Sequence, residues 1–454
     1  PPATGRRTGE HPAPSDGNHE LMLAKGGTMQ GRRESGASRR RPLVAGMLTV
    51  LALGATLALV STSSGGTHAT GAKPAVVVST GKGFGEVYAA KTSTLAKTLF
   101  KANLLPANKM SRNIALAGLG RADKKVNYNL ALKCWKSNGC STGTGGKMTV
   151  AYIEQFGENV FRQMSKMEFI LQALTYPQVG RIIYKSAHSD LNQGIADFKA
   201  AIAQKVDLIV SYPDFGDAML PVMKEATDAG IPVATYAWGF VSGPGKNYLT
   251  VVGEDTCKLG QAYAKVMNTQ VKSGDIAFLG GFPGNPLSLG WQNCEKPALN
   301  SNLDVVATEP TNWDPSKVQS VVAGILAAHP NVKGWSYEYG LGMAQGALAA
   351  YKAAGKPFDT VLTLRTDDVG MGCTFNKENN PNLKMWYYTS GNSQIRVAFT
   401  AAMMKLQGAK IPPKIVFPIQ LQNQRVRDSC VKGYPQEASA TSLIPLSLLH
   451  RMYP

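Results

Sequence analysis

Three aromatic residues stand where apolar, strand-like runs end. Tyr212 follows VDLIVS, Trp238 follows IPVATYA, and Trp313 comes shortly after DVVATE. Rings in such places can stack on the C–H faces of a sugar, pack on a cyclic apolar solute, or face a cation. Arg162 can clamp a ligand oxygen, or pair with Glu158 one helical turn back. Asp367 and Asp368 can accept ligand hydroxyls or cap the segment that follows them. Adjacent aspartates alone do not make a metal site. The competing reading of each tryptophan is core packing, because Trp is usually well buried. Trp335 and Trp386 lie inside strand-like runs and are read as core. Trp291 lies on a helix and fits either role.

Catalytic chemistry finds little support. The histidines beyond the leader are His188, His329 and His450, and none stands at metal-ligand spacing from another. No G-x-S-x-G elbow occurs, and no dinucleotide fingerprint leaves the run MTVAYI. The stretch STGTGGK superficially evokes a phosphate loop. Its first required glycine is Ser141, Met148 stands where a hydroxyl should, and it precedes a strand instead of following one. We therefore expect no enzyme, no cofactor and no metal. The net charge is +18, from 48 basic and 30 acidic residues. The basic residues are scattered, with no helix-turn-helix or zinc-finger spacing, so no nucleic-acid partner is expected. A basic surface facing an acidic membrane or cell wall fits better.

The elements that must hold these side chains recur from Met148 onward. MTVAYI leads into a helix through Phe161, Met164 and Phe169; VGRIIY, VDLIVS and IPVATYAW follow, with helices between them. Strands alternating with helices of this length imply parallel pairing through right-handed crossovers. Ligands of such sheets sit beyond the carboxyl ends of the strands. A second lobe repeats the pattern with DIAFLG, DVVATE, KGWSYE, TVLTL and KMWYY, then a helix from near Ser393 and a last strand, KIVFPIQL. Two such lobes in one chain create a cleft, a preferred place for a ligand.

The chain ahead of Met148 reads as two parts. Residues 1–41 are rich in Gly, Pro, Ser and Arg; Arg39-Arg40-Arg41 then precedes an apolar run from Leu43 to Val60 and small residues near Thr67–Ala72. These are the parts of a secretory signal peptide, with an uncleaved anchor as the rival reading. Residues 73–147 form a helical extension, with apolar residues at helical spacing in LAKTLFKANLL and NIALAGLGRADKKVNYNLALKCW. All six cysteines lie after the leader, an even count that suits disulfides in an exported protein. Six cysteines allow about 15 pairings. Neighbours in the expected fold suggest Cys134–Cys140, Cys257–Cys294 and Cys373–Cys430.

From Met148 to about Asn423 the chain resembles the type I periplasmic solute-binding proteins, in the ribose- and galactose-binding branch that serves ABC transporters. The resemblance rests on Asn159-Val160-Phe161, on Asp207–Pro213 with Asp217-Ala218, and on Ala229-Gly230-Ile231-Pro232-Val233. Trp313-Asp314 with Ala328-His329-Pro330, Gly342–Ala347 and Ala354-Gly355-Lys356 complete it. It implies an α/β fold of two Rossmann-like lobes with parallel sheets, joined by a three-strand hinge, plus the small helical N-terminal extension. It divides the chain into a leader (1–72), the extension (73–147), lobe 1 (148–251 with about 391–412), lobe 2 (252–390 with about 413–425) and a C-terminal tail (426–454). It implies an exported, monomeric receptor that traps a sugar-like solute by hinge closure and hands it to an ABC permease. A receptor that docks a membrane sensor would use the same outer surface.

By the resemblance, Asn159, Phe161 and Arg162 sit in the first ligand loop. Tyr212 takes the polar position after the third strand, Trp313 the ring-stacking position, and Ser390 a polar position at the second crossover. Sugar binders usually carry Asp-Arg after the fourth strand, where this chain has Ala237-Trp238. The family's arginine of the second lobe falls near Leu289–Trp291, its asparagine near Tyr339, and its later aspartate within Arg365-Thr366-Asp367. The expected ligand contacts are therefore Asn159, Phe161, Arg162, Tyr212, Trp238, Trp291, Trp313, Tyr339, Arg365, Asp367 and Ser390.

Overall fold

A computed structural model describes residues 105–454 apart from 158, 237–240, 367, 389–390, 420, 424–428 and 437. The expected leader, Trp238, Asp367 and Ser390 lie outside the described residues.

The described part of the extension opens with α1 (Lys109–Gly120) and α2 (Tyr128–Lys136). Asn108 and Asn127 cap them, each side chain accepting backbone N–H groups of the first turn. Both helices bury an apolar stripe, Ile114, Ala115 and Leu119 on the first, Ala131, Leu132 and Cys134 on the second. Strand β1 (Gly139–Ser141) then joins the first sheet at its edge. The sequence alone reads as loop and linker along this stretch, because three residues are too few to show alternation.

The first lobe continues with β2 (Met148–Glu154), α3 (Val160–Leu174), β3 (Val179–Ser186), α4 (Leu191–Ala203), β4 (Leu208–Tyr212), α5 (Leu220–Asp228), β5 (Val233–Tyr236) and β6 (Thr250–Glu254). The second has α6 (Thr256–Gln270), β7 (Gly274–Gly280), α7 (Pro286–Glu295), β8 (Leu303–Pro310), α8 (Pro315–Ala328), β9 (Gly334–Tyr337), α9 (Leu348–Ala353), β10 (Val361–Leu364), α10 (Val369–Glu378) and β11 (Lys384–Tyr387). The chain returns through α11 (Gln394–Leu406) and β12 (Lys414–Phe417), and ends with β13 (Gln422–Asn423) and α12 (Leu446–Met452).

Among the described residues there are two sheets. The order of one is β1-β3-β2-β4-β5-β6-β12 and of the other β13-β11-β10-β9-β7-β8. All pairings are parallel except those of β1 and β13 at the two edges. The central strands read as unbroken apolar runs because helices cover both faces. Helix α11 packs on β4, β5 and β6 and on α1, so the extension is built into the first lobe.

Two strand assignments differ from the expectation. KIVFPIQL is not one strand of the second lobe: Lys414–Phe417 pairs with β6 in the first sheet, and only Gln422–Asn423 reaches β11. Strand β6 itself is a fifth strand of the first lobe's run, where four are expected from the pattern. Among the described residues between β5 and β6 there is no helix, so no alternation announces β6. The chain crosses between the sheets after β6, after β11 and after β12.

The three disulfides Cys134–Cys140, Cys257–Cys294 and Cys373–Cys430 are all present, with Cα separations of 5.1, 5.1 and 4.4 Å. The second joins α6 to α7 at a close helix approach, where any Cβ on Gly260 would overlap the backbone of Trp291. Among the described residues no helix is long and apolar enough to cross a membrane.

Candidate functional site

The carboxyl ends of the two sheets face one cavity. Asn159, Phe161, Arg162 and Tyr212 line it from the first lobe, and Leu287, Trp313, Glu338, Tyr339, Arg365 and Asp368 from the second. Asn392 at the second crossing and Ser439 of the C-terminal tail also face into it.

Asn159 caps α3, its side chain accepting the Arg162 backbone N–H at 3.0 Å. That cap fixes the first turn and sends the Arg162 side chain inward. The guanidinium lies over the Tyr212 ring, 3.4 Å from its centroid. Its Nη2 donates to Asp214 Oδ1 at 2.8 Å, and its Nε stands 3.9 Å from Glu154. Arg162 is 2 % exposed, and its Nη1 has no hydrogen-bond partner among the described residues. A buried guanidinium N–H without an acceptor is costly, and a ligand oxygen would satisfy it. Burial pushes the Asp214 carboxyl up to about 7, against the pull of Arg162.

Trp313 is held in an unusual backbone conformation. Its φ is 52°, next to Asn312 at 54°, a region that bulky residues rarely occupy. Four contacts hold it there. Its Nε1 donates to Glu338 at 3.2 Å, and its ring meets Phe156 and Phe282 edge-on at 4.9 and 5.7 Å. It also lies against Gly281, where a Cβ would overlap the ring. Strained residues held by their surroundings concentrate at ligand clamps. Phe156 of the first lobe also stacks on Phe282 of the second, with centroids 5.8 Å apart, so the lobes touch beside the cavity.

Glu338 is the hub of the second lobe's wall. It accepts from Ser288 Oγ, Trp291 Nε1 and Trp313 Nε1, and burial raises its pKa. Trp291 thus belongs to the core and not to the lining: it is fully buried, between Tyr263 and Phe278, and acts on the cavity only through Glu338. Arg365 pairs with Glu254, which also accepts from Gln394 at 3.3 Å. These three residues come from β10's exit, β6's end and the start of α11, so they join two hinge crossings to the cavity wall. Asp368 accepts from Thr366 at 2.7 Å and from the Leu341 backbone at 3.0 Å. Asn392 donates to the Phe161 carbonyl and to Ser165, both at 2.8 Å.

The cavity therefore brings together Asn159, Phe161, Arg162, Tyr212, Trp313, Tyr339 and Arg365 of the expected residues. Glu338, Asp368, Asn392 and Ser439 stand beside them. Glu338 ends the run KGWSYE, and its place at a strand's carboxyl end is a usable signal. Nothing local marks Ser439. Among the described residues no group of His, Cys, Asp and Glu is arranged to hold a metal ion.

The periplasmic binding protein domain family matches residues 150–410. The ribose import binding protein RbsB of Bacillus subtilis (strain 168) is 25% identical over 251 residues, covering 54% of this chain and 78% of that protein. Among solved structures, the periplasmic component of the arabinose ABC transporter from Shewanella sp. ANA-3 is similar at a TM-score of 0.55 and 20% identity, covering 62% of this chain and 93% of that one. A solute-binding protein from Actinobacillus succinogenes 130z with bound D-allose is similar at a TM-score of 0.52 and 21% identity, covering 61% and 97%.

Proposed function

The chain belongs to the periplasmic binding protein domain family, and from that premise we propose that it is the extracytoplasmic solute receptor of an ABC importer. Its ligand is a sugar or related polyol, trapped between the lobes, and its macromolecular partner is the importer's permease. The protein acts as a monomer and performs no chemistry on its ligand.

The observation that carries this reading is the pairing of charges in the cavity wall. Arg162 and Arg365 each have a carboxylate of the protein against them, and Glu338 and Asp368 each accept several donors. Among the described residues, each of these arginines is thus matched by a carboxylate and neither stands alone to select an anion. What is left is the pair of rings Phe161 and Trp313, the Tyr212 and Tyr339 side chains, and the Arg162 Nε and Nη1 donors, which have no hydrogen-bond partner among the described residues. That set suits a neutral molecule with an apolar face and peripheral oxygens. Relatives named for ribose, arabinose and D-allose support the same class.

Calorimetric titration of the purified protein with D-ribose, L-arabinose, D-allose and myo-inositol tests it. Saturable micromolar binding of one of them is expected, with a change in tryptophan fluorescence from Trp313. No heat with any polyol, and a response only to a charged or aromatic solute, would overturn the sugar assignment.

A further inference from the structure

The C-terminal segment passes between the lobes once more, with Thr441 close to Gly391 in the crossing after β11. On the second lobe it is fastened to α10: the Cys430–Cys373 disulfide binds it covalently. Gly370 N then donates to Gln436 O at 2.7 Å and Val369 N to Ala438 O at 2.9 Å, with an antiparallel bridge between Asp368 and Ser439. Past Ser439 the chain enters the first lobe. Leu443 N donates to Glu168 Oε1 at 2.8 Å, and Ser442 Oγ reaches the same oxygen at 3.3 Å. The other Glu168 oxygen takes Arg396 of α11. Helix α12 then rests on α2, where Arg451 donates to Asn129 at 2.7 Å and Tyr453 meets Trp135 edge-on.

The segment between these anchors is core and not surface. Ala438, Ala440, Leu443 and Ile444 are all nearly inaccessible to solvent. Swinging the lobes apart at this edge would expose that apolar run or pull Leu443 N from Glu168. The second change would leave a buried carboxylate short of a donor. At the midpoint of the passage, Ser439 lines the cavity beside Asp368.

We propose that the described residues of 429–454 form a fourth interlobe strap that is part of the binding machinery, limiting how far the lobes open and presenting Ser439 to the bound solute as a specificity-determining contact. The contact with solute rests on the sugar-receptor reading; the limit on opening does not.

The two claims are tested on the full chain. Fluorescent dyes carried on non-natural residues at the exposed positions Lys199 of α4 and Ser320 of α8 report the interlobe distance without ligand. The paired substitution Cys373→Ser with Cys430→Ser should lengthen and broaden that distance. Isosteric Glu168→Gln, which loosens the anchor on the other lobe, should do the same and serves if the cysteine variant does not fold. Distances matching the parent protein in both would overturn the strap. Ser439→Ala should leave the distance unchanged and shift the affinity ratio between D-ribose, D-allose and L-arabinose several-fold. An unchanged ratio would remove Ser439 from the site. If the parent protein binds none of these sugars, the functional reading fails, while the distance measurement still decides the strap.

Discussion

Arg162 lies over Tyr212, its guanidinium carbon 3.4 Å from the ring centroid, while Asp214 holds one edge of the fork at 2.8 Å. Ring and carboxylate together leave Nη1, like Nε, without a hydrogen-bond partner among the described residues. A planar donor fixed on two sides is pre-organised for a single further acceptor. Lysine would keep the charge and lose that geometry. Arg162→Lys should therefore weaken sugar binding about 10- to 100-fold, the loss of one charge-assisted hydrogen bond. Titration calorimetry against the parent protein checks it, and equal affinity would show that Nη1 meets no ligand atom.

Trp313 lines the cavity and makes the contact with Phe156 across the lobes. Trp313→Ala should lower binding free energy by about 1–3 kcal/mol. The loss should fall mainly on the dissociation rate, since the ring's contact with Phe156 joins the two lobes beside the cavity. Stopped-flow mixing that follows dyes at Lys199 and Ser320 would show it; a pure change in association rate would argue against a clamp.

Trp291 separates holding a site from touching it. Its indole N–H is 2.7 Å from Glu338, yet its ring lies in the core. Trp291→Phe removes one donor from a buried carboxylate and should cost about 1–3 kcal/mol of folding stability. Denaturant unfolding measures this. The fluorescence response to bound sugar should survive, because Trp313 supplies it.

The outcome for these residues shows what a linear chain can and cannot announce. Tyr212 and Trp313 are legible because a strand's carboxyl end in a parallel sheet fixes where the next residue stands. Trp291 is ambiguous, because helical periodicity tells which face is buried but not what the buried ring bonds. The first sheet takes in Lys414–Phe417 because pairing between strands so far apart in sequence depends on the crossings, which no local pattern encodes. Ser439 is invisible for the same reason: its place depends on a disulfide and two backbone hydrogen bonds that join its neighbours to residues of α10 distant in sequence.

The Cys257–Cys294 bridge spans 37 residues of sequence and ties α6 to α7 where Gly260 meets Trp291. Replacing both cysteines by serine should cost about 2–4 kcal/mol of stability, mostly through the freed unfolded chain. The bridge also secures the helix that carries Trp291 and Ser288, both donors to Glu338. Binding should therefore weaken slightly even at temperatures where the variant is fully folded. Calorimetric melting followed by titration separates the two effects.

The Asp214 carboxyl, pushed by burial to about 7 from an ordinary 3.8, makes stability depend on pH with a definite sign. The folded protein holds this proton more tightly than the unfolded chain, so the group's stabilising contribution is complete below about pH 4. It falls away as pH rises toward 7 and is then constant. Arg162 opposes the shift but does not reverse it. Glu154 and Glu338 are raised by burial as well, so they add slope of the same sign. Asp214→Asn should flatten the curve of folding stability between about pH 4 and 7 without abolishing its slope. Denaturant midpoints measured across that window decide the matter: a variant whose slope equals that of the parent would mean that Asp214 is ionised throughout, with Arg162 overcoming its desolvation.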